Sequence, residues 1–361
     1  MKNNKRKNKG VTLVALVVTI IILLILAGIS ISALTQTGIF GKAKDAEKRS
    51  KEAEQKQAET LGSYEKEINK YVAEELTSEK INKVLNENEN TVLKDLKGNV
   101  FTVPAGFKIT EDATTVDKGI VIEDATDKAT QGSQFVWIPV GEITKADGTT
   151  TTINLDRYTF DNGIPTAQGD KVIGKYYQEL ETSDKGNTVA KSITEFKKSV
   201  ATNGGYYIGR YEARQKNGQI TEVKTDAVYN INQSDATKHA QDMYNSDKFT
   251  SDLMNSYAWD TATLFAQNCG TNNKYSRQAS LNTTFSSTGT TEDVQCNIYD
   301  MASNVVEWTT EASTDPNNGP YGYTCRGDTW YDGGDAYVCD RILSTGTMPR
   351  SLAGFRPILY L

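Results

Sequence analysis

From Val11 to Leu34 the chain carries no charged residue, and Val, Ile and Leu dominate the run. A helix of these 24 residues spans about 36 Å, enough to cross the hydrocarbon core of a bilayer. The stretch before it, MKNNKRKNKG, holds Lys2, Lys5, Arg6, Lys7 and Lys9 and no acid. Basic flanks stay in the cytoplasm, so the remainder of the chain is expected on the outside, above cytoplasmic-membrane lipid. The apolar run is longer than the core of a secretory signal, and AGISISAL matches a signal-peptidase site only weakly.

Past Ile39 the chain becomes highly charged, yet Ile39, Ala43, Ala46, Ser50, Ala53, Gln57, Thr60, Tyr64, Ile68 and Tyr71 recur every three or four residues. That is one stripe of a helix. Glu47 with Lys51 and Glu52 with Lys56 are i,i+4 pairs in the favourable order. No proline interrupts residues 11–74, so a single helix of about 95 Å is expected to rise from the membrane as a stalk.

A short basic leader ending in glycine, then the apolar KGVTLVALVVTIIILLILAGI continuing as an amphipathic helix, resembles the type IV pilin-like proteins. The resemblance implies cleavage by a prepilin peptidase between Gly10 and Val11, with Val11 as the new, methylated amino terminus, and other pilins as partners. The usual Glu at the fifth mature position is Ala15 here, which puts polymerisation into a long fibre in doubt. Loss of the leader's five cations takes the net charge from -6 to -11. So acidic a chain argues against sequence-independent nucleic-acid binding, which neutralises phosphates with Lys and Arg.

The expected organisation is a leader at 1–10, a transmembrane and stalk helix at 11–76, a short helix and linker at 77–95, and one domain at 96–361. Thr77 or Ser78 is the candidate cap of the short helix. VFTVPAGF (100–107), GIVIED (119–124), QFVWIPVGEI (134–143) and GGYYIGRYEA (204–213) read as strands between Gly, Asp and Thr turns. Residues 145–200 read as polar surface insertions, and SDLMNSYAWDTATLFAQ (251–267) has a helical apolar pattern. The chain has one histidine, His239, in the polar stretch SDATKHAQDMY, so a His-based triad or zinc site has one seat and a solvated helical position is expected instead.

FVWIPVGEI, YYIGRYEA, the helix around Trp259, YDMASNVVEWTTE (299–311), RGDTW (326–330) and GFRP (354–357) follow one another in an order that resembles the formylglycine-generating-enzyme, or sulfatase-modifying-factor, branch of the C-type-lectin fold. The resemblance covers about residues 134–361. It implies an α+β, loop-rich domain of short antiparallel strands with two helices. Asn304, Glu307, Trp308, Arg326, Phe355 and Arg356 read as scaffold: large rings to bury, and charges to bond in the interior. The family's oxidase uses two cysteines, six and eleven residues after the Arg of its corresponding block. Counted from Arg326, those places hold Asp332 and Tyr337, which cannot form thiolates, so no enzyme and no cofactor is expected.

Four cysteines remain: Cys269, Cys296, Cys325 and Cys339. Outside the membrane they are disulfide candidates with three pairings open, the local Cys325–Cys339 and Cys269–Cys296 being favoured; four free thiols is the alternative. Between the last two lie Trp330, Tyr331, Asp332, Asp335 and Tyr337. Aromatic anchors among Asp and Gly are paratope chemistry, and with Arg350 they form the candidate face for an extracellular protein or glycan; an ordinary tolerant loop is the rival reading. Some relatives in this fold are targets of diversity-generating retroelements, which vary this segment before an ending like GFRP. No E-P-N or Q-P-D tripeptide marks a calcium-dependent sugar site, and the sequence leaves metal binding open. The expected function is a membrane-anchored, pilin-like surface protein displaying a ligand-binding domain, with a minor pilin of purely structural role as the alternative.

Overall fold

A computed structural model describes helical positions scattered between residues 46 and 72 and most of residues 72–361, excluding 175, 182–187, 217–218, 225–229, 314–321, 332–335 and 345–351. The cleavage site Gly10–Val11, Ala15 and the apolar run to Leu34 lie outside the described residues. No helix among the described residues is long and apolar enough to cross a membrane. The chain divides into two units, Met1–Ala58 and Glu59–Leu361. In the first, the described positions from Ala46 to Gln57 are helical and exposed.

The second unit opens with helical positions ending at Val72, followed by the two-residue strand Glu74–Glu75, so the expected stalk helix stops short of residue 76. The expected short helix after Thr77 is absent. Residues 77–90 run instead as turns, with isolated bridges from Ile81 to Ile109 and from Val84 to Lys108. Tertiary pairing outweighs the local helical pattern there, because Leu76 is buried in the core and its N–H donates to Lys94 O at 2.8 Å.

A six-stranded antiparallel sheet forms the first layer. It contains β1 (Phe107–Ile109), β2 (Val121–Asp124), β3 (Gln134–Pro139), β4 (Gly205–Gly209), β5 (Thr250–Leu253) and, at the far end of the chain, Pro357–Tyr360. The spatial order is β5, Pro357–Tyr360, β4, β3, β2, β1. The carboxyl-terminal strand thus lies between two strands far from it in sequence. β3 and β4 are buried almost throughout, which is why they read as continuous apolar runs rather than alternating ones.

Helices α1 (Ile193–Asn203), α2 (Gln233–Asp242) and α3 (Ser256–Cys269) each begin at a side-chain cap: Ser192, Asn232 and Asn255 accept from the N–H groups of Glu195, Asp235 and Ala258. The Asn255 cap starts α3 later than the apolar pattern suggested, and Thr250–Leu253 is a strand. α1 falls at the end of the stretch expected as insertion. His239 is half-buried on α2.

The second layer is a five-stranded sheet centred on β6 (Val306–Ser313), which pairs with β7 (Gly322–Arg326) on one side. On its other side β6 pairs antiparallel with Tyr177–Gln178 and parallel with β9 (Ala353–Phe355), while β8 (Ile342–Ser344) extends the sheet beyond β7. Every residue of β6 is buried, including Glu307 and Glu311. The carboxyl-terminal strand, β10 (Pro357–Tyr360), follows β9 directly, so Arg356 is the hinge between the two sheets.

Candidate functional site

Two charge clusters are buried in the domain; the first joins the sheets and the second holds both ends of the candidate loop. Arg356, between the sheets, donates from Nη2 to Glu307 Oε1 at 2.7 Å, from Nη1 to Gly209 O at 2.9 Å and again from Nη2 to Tyr299 O at 2.8 Å. Burial raises the Glu307 carboxyl, while Arg356 pulls the other way. The second cluster gathers Arg157, Arg326 and Arg341 around Asp260 of α3 and Glu311 of β6. Arg326 and Arg341 each donate from Nη2 to Asp260 at 2.5 Å, and Arg341 Nε donates to Glu311 Oε2 at 2.9 Å. Burial alone would raise the Glu311 carboxyl; the guanidiniums of Arg341, Arg326 and Arg157 outweigh it and hold it below the usual carboxylate range.

Arg326 and Arg341 stand at the two ends of the segment that carries Trp330, Tyr331 and Tyr337. Arg326 also donates from Nε to Asp340 O at 2.9 Å, closing the loop on itself. The residue after Arg326 must be glycine: Gly327 has φ +80, and a Cβ there would lie 2.5 Å from Met301 O.

A second segment runs alongside this loop. Val338 N–H donates to Gln278 O at 3.0 Å, Cys339 N–H to Ser276 O at 3.2 Å, and Ser280 N–H to Asp328 Oδ2 at 3.1 Å. Trp259 of α3 donates its indole N–H to Val338 O at 2.8 Å, tying the pair to the core. Between the segments sits Asn304, fully buried and left-handed at φ 70. Its Nδ2 donates to Glu212 Oε2 at 2.6 Å, its Oδ1 accepts from Ser286 N–H at 3.1 Å, and its carbonyl accepts from Trp330 N–H at 3.1 Å. Burial pushes the Glu212 carboxyl well above its ordinary value.

On this base Tyr331 is 70% exposed and Leu281 51% exposed. The half-buried Trp330 meets the Tyr331 ring edge-on, with centroids 5.6 Å apart and planes at 87°. The half-buried Tyr337 has its N–H bonded to Asp340 Oδ2 at 3.0 Å and carries the Arg277 guanidinium over its ring, 3.7 Å from the centroid. Trp330, Tyr331 and Tyr337 therefore belong to one loop pinned at both ends. Asp332, Asp335 and Arg350 lie outside the described residues. Trp308 and Phe355 are fully buried.

The cysteines correct the expected pairing: none of the four is joined in a disulfide. Cys339 turns its sulfur toward Asp340 Oδ1 at 3.7 Å, and Cys325 is buried within β7. Burial pushes the Cys269 thiol up to about 12 and the Cys339 thiol up to about 11. Neither is a ready thiolate at neutral pH. Among the described residues no group of His, Cys, Asp and Glu is arranged to hold a metal ion.

Sequence reading missed Arg277, Leu281 and the acids under the loop. Asp260 carried a signal, being a charge inside the apolar helix pattern; Arg277, in NNKYSRQ, carried none.

The model of the prokaryotic N-terminal methylation motif matches residues 5–31, so the amino-terminal segment is type IV pilin-like, a context that implies prepilin-peptidase processing and membrane anchoring. No curated protein matches the chain. Among solved structures, Treponema denticola variable protein 1 aligns over 65% of this chain and 98% of its own at 16% identity and a TM-score of 0.28. PvdO from Pseudomonas aeruginosa aligns over 65% of this chain and 97% of its own at 13% identity and a TM-score of 0.39; both likenesses are distant.

Proposed function

We propose that this chain is a membrane-anchored, pilin-like surface protein whose outer domain, of C-type-lectin-like, formylglycine-generating-enzyme type, binds an extracellular ligand through the face around Trp330, Tyr331 and Tyr337. The observation that carries the reading is Tyr331, a large aromatic ring held in solvent on a loop whose ends are fixed by buried Arg–carboxylate bonds. Rigid aromatic area presented by a pinned loop binds at small cost in ordering. Between Cys325 and Pro357, exposed positions such as Tyr331 are open to diversification, whereas Arg326, Gly327, Val338, Phe355 and Arg356 belong to the scaffold and are not. The protein acts by binding and not by catalysis, since Asp332 and Tyr337 stand where thiolate chemistry would need cysteines.

The test is a binding screen of the folded chain against cell-surface proteins and glycans, repeated with Tyr331→Ala and Tyr337→Ala. Loss of a selected ligand with the thermal melt unchanged supports the reading; ligands that bind both variants as well as wild type refute it. The methylation motif at 5–31 also favours a second reading, a minor pilin whose outer domain is bulk in a fibre. Deleting the gene would then abolish pili while the Tyr331→Ala and Tyr337→Ala proteins restored them.

A further inference from the structure

Arg277 is exposed, and its guanidinium lies on the Tyr337 ring, 3.7 Å from the centroid. Its backbone is fixed from both sides: Tyr275 Oη bonds Asp293 Oδ1 at 2.9 Å, Ser276 Oγ bonds Gln267 Oε1 at 2.7 Å, and the neighbouring Ser276 and Gln278 carbonyls accept from the 338–339 segment. Among the described residues no carboxylate pairs with this guanidinium and no acceptor takes its N–H groups. Stacking uses the face of a guanidinium and leaves the in-plane N–H fork unspent. The result is a pre-oriented cation on the same paired segments that carry Leu281 and Tyr331, in a chain of net charge -6.

We infer that Arg277 is a specificity-determining residue of this face, and that it takes a carboxylate, Asp or Glu, from a protein partner. The inference rests on the reading of the face as a binding surface. A carboxylate matches the fork in two parallel bonds, which a neutral amide cannot do with equal strength. A protein partner is favoured over a glycan by the company Arg277 keeps. Leu281 offers only aliphatic surface, with nothing to bond sugar hydroxyls, and Trp, Tyr and Arg together are the residues that dominate protein–protein contacts.

The test uses the folded chain on an array of random short peptides in which every Asp- or Glu-bearing member has an Asn or Gln twin. Polygalacturonate and neutral dextran serve as glycan probes. Wild type is expected to bind a subset of acidic peptides about tenfold or more above their twins, the preference shrinking as salt rises. Arg277→Gln should erase the preference, and Arg277→Lys, which keeps the charge but not the fork, should keep only part of it. Arg277 is exposed, so both variants should melt with wild type. Binding to twins as strong as to acidic peptides, or a preference that survives in Arg277→Gln, overturns the role of Arg277. If Tyr331→Ala still abolishes that binding, the face reading stands and only the inference falls. Capture of polygalacturonate with no acidic peptide enriched overturns the protein partner, and so does an array on which no peptide binds.

Discussion

Asn304 shows how much one residue can carry. Its backbone is left-handed, its amide links Glu212 to the Ser286 turn, and its carbonyl receives the N–H of Trp330. Asn304→Ala is expected to cost about 3 kcal/mol, from left-handed strain and from leaving Glu212 short of a donor in the interior. Asn304→Gly should recover about 1 kcal/mol of that, because glycine accepts the backbone angle. Urea unfolding of the two variants measures the difference. Asp293 gives a pH signature. Burial pushes its carboxyl up to about 6, against the hydrogen bonds from Ala302 N–H and Tyr275 Oη. The folded state thus holds the proton more tightly than the unfolded chain, so this group's contribution falls as pH rises from about 4 to about 6 and is level above. Relative to Asp293→Asn, wild type should lose about 2–3 kcal/mol between pH 4 and pH 7, read from paired urea midpoints.

Elements in this domain are joined by charge as much as by apolar contact. Glu307 sits on β6 and Arg356 between β9 and β10, so their bond locks one sheet to the other. Glu307→Gln should cost about 3 kcal/mol, since it strips a buried guanidinium of its counter-charge. The double change Glu307→Leu with Arg356→Met should cost less than the two single changes added together, because neither partner is then left charged and unpaired; denaturation of all three variants checks this. The strands were legible where they are buried runs, as in QFVWIP and GYYIG. The segment after Thr77 was misread because a helical pattern there lost to pairing with residues 108 and 109. Local periodicity cannot register a partner that arrives from elsewhere in the chain.

At the scale of the molecule, the amino-terminal motif and the folded domain make separable demands. A bulky residue at Gly10, such as Gly10→Val, should block leader removal, leaving a heavier membrane-bound product by intact mass while the wild-type chain begins at Val11. Protease added to intact cells should digest the domain carrying Tyr331 in both, since anchoring needs the apolar run and not the cut. A domain that resists protease on intact cells yet is cleaved in lysate would place it on the wrong side of the membrane.

The sequence by itself determined the anchor-like run from Val11 to Leu34, the leader motif and the mixed α+β character of the remainder, because charge and hydrophobic period act over a few neighbouring residues. It also supplied Trp330, Tyr331 and Tyr337 as candidates. Only the tertiary structure decided that Tyr331 stands in solvent while Trp308 does not, that no disulfide joins the cysteines, and that Arg277 lies on Tyr337. Those outcomes depend on contacts such as Arg326 with Asp260, 66 residues apart, and Arg341 with the same acid, 81 apart. Desolvated charges find partners wherever the packed chain brings them together, and no local pattern in the sequence encodes that meeting.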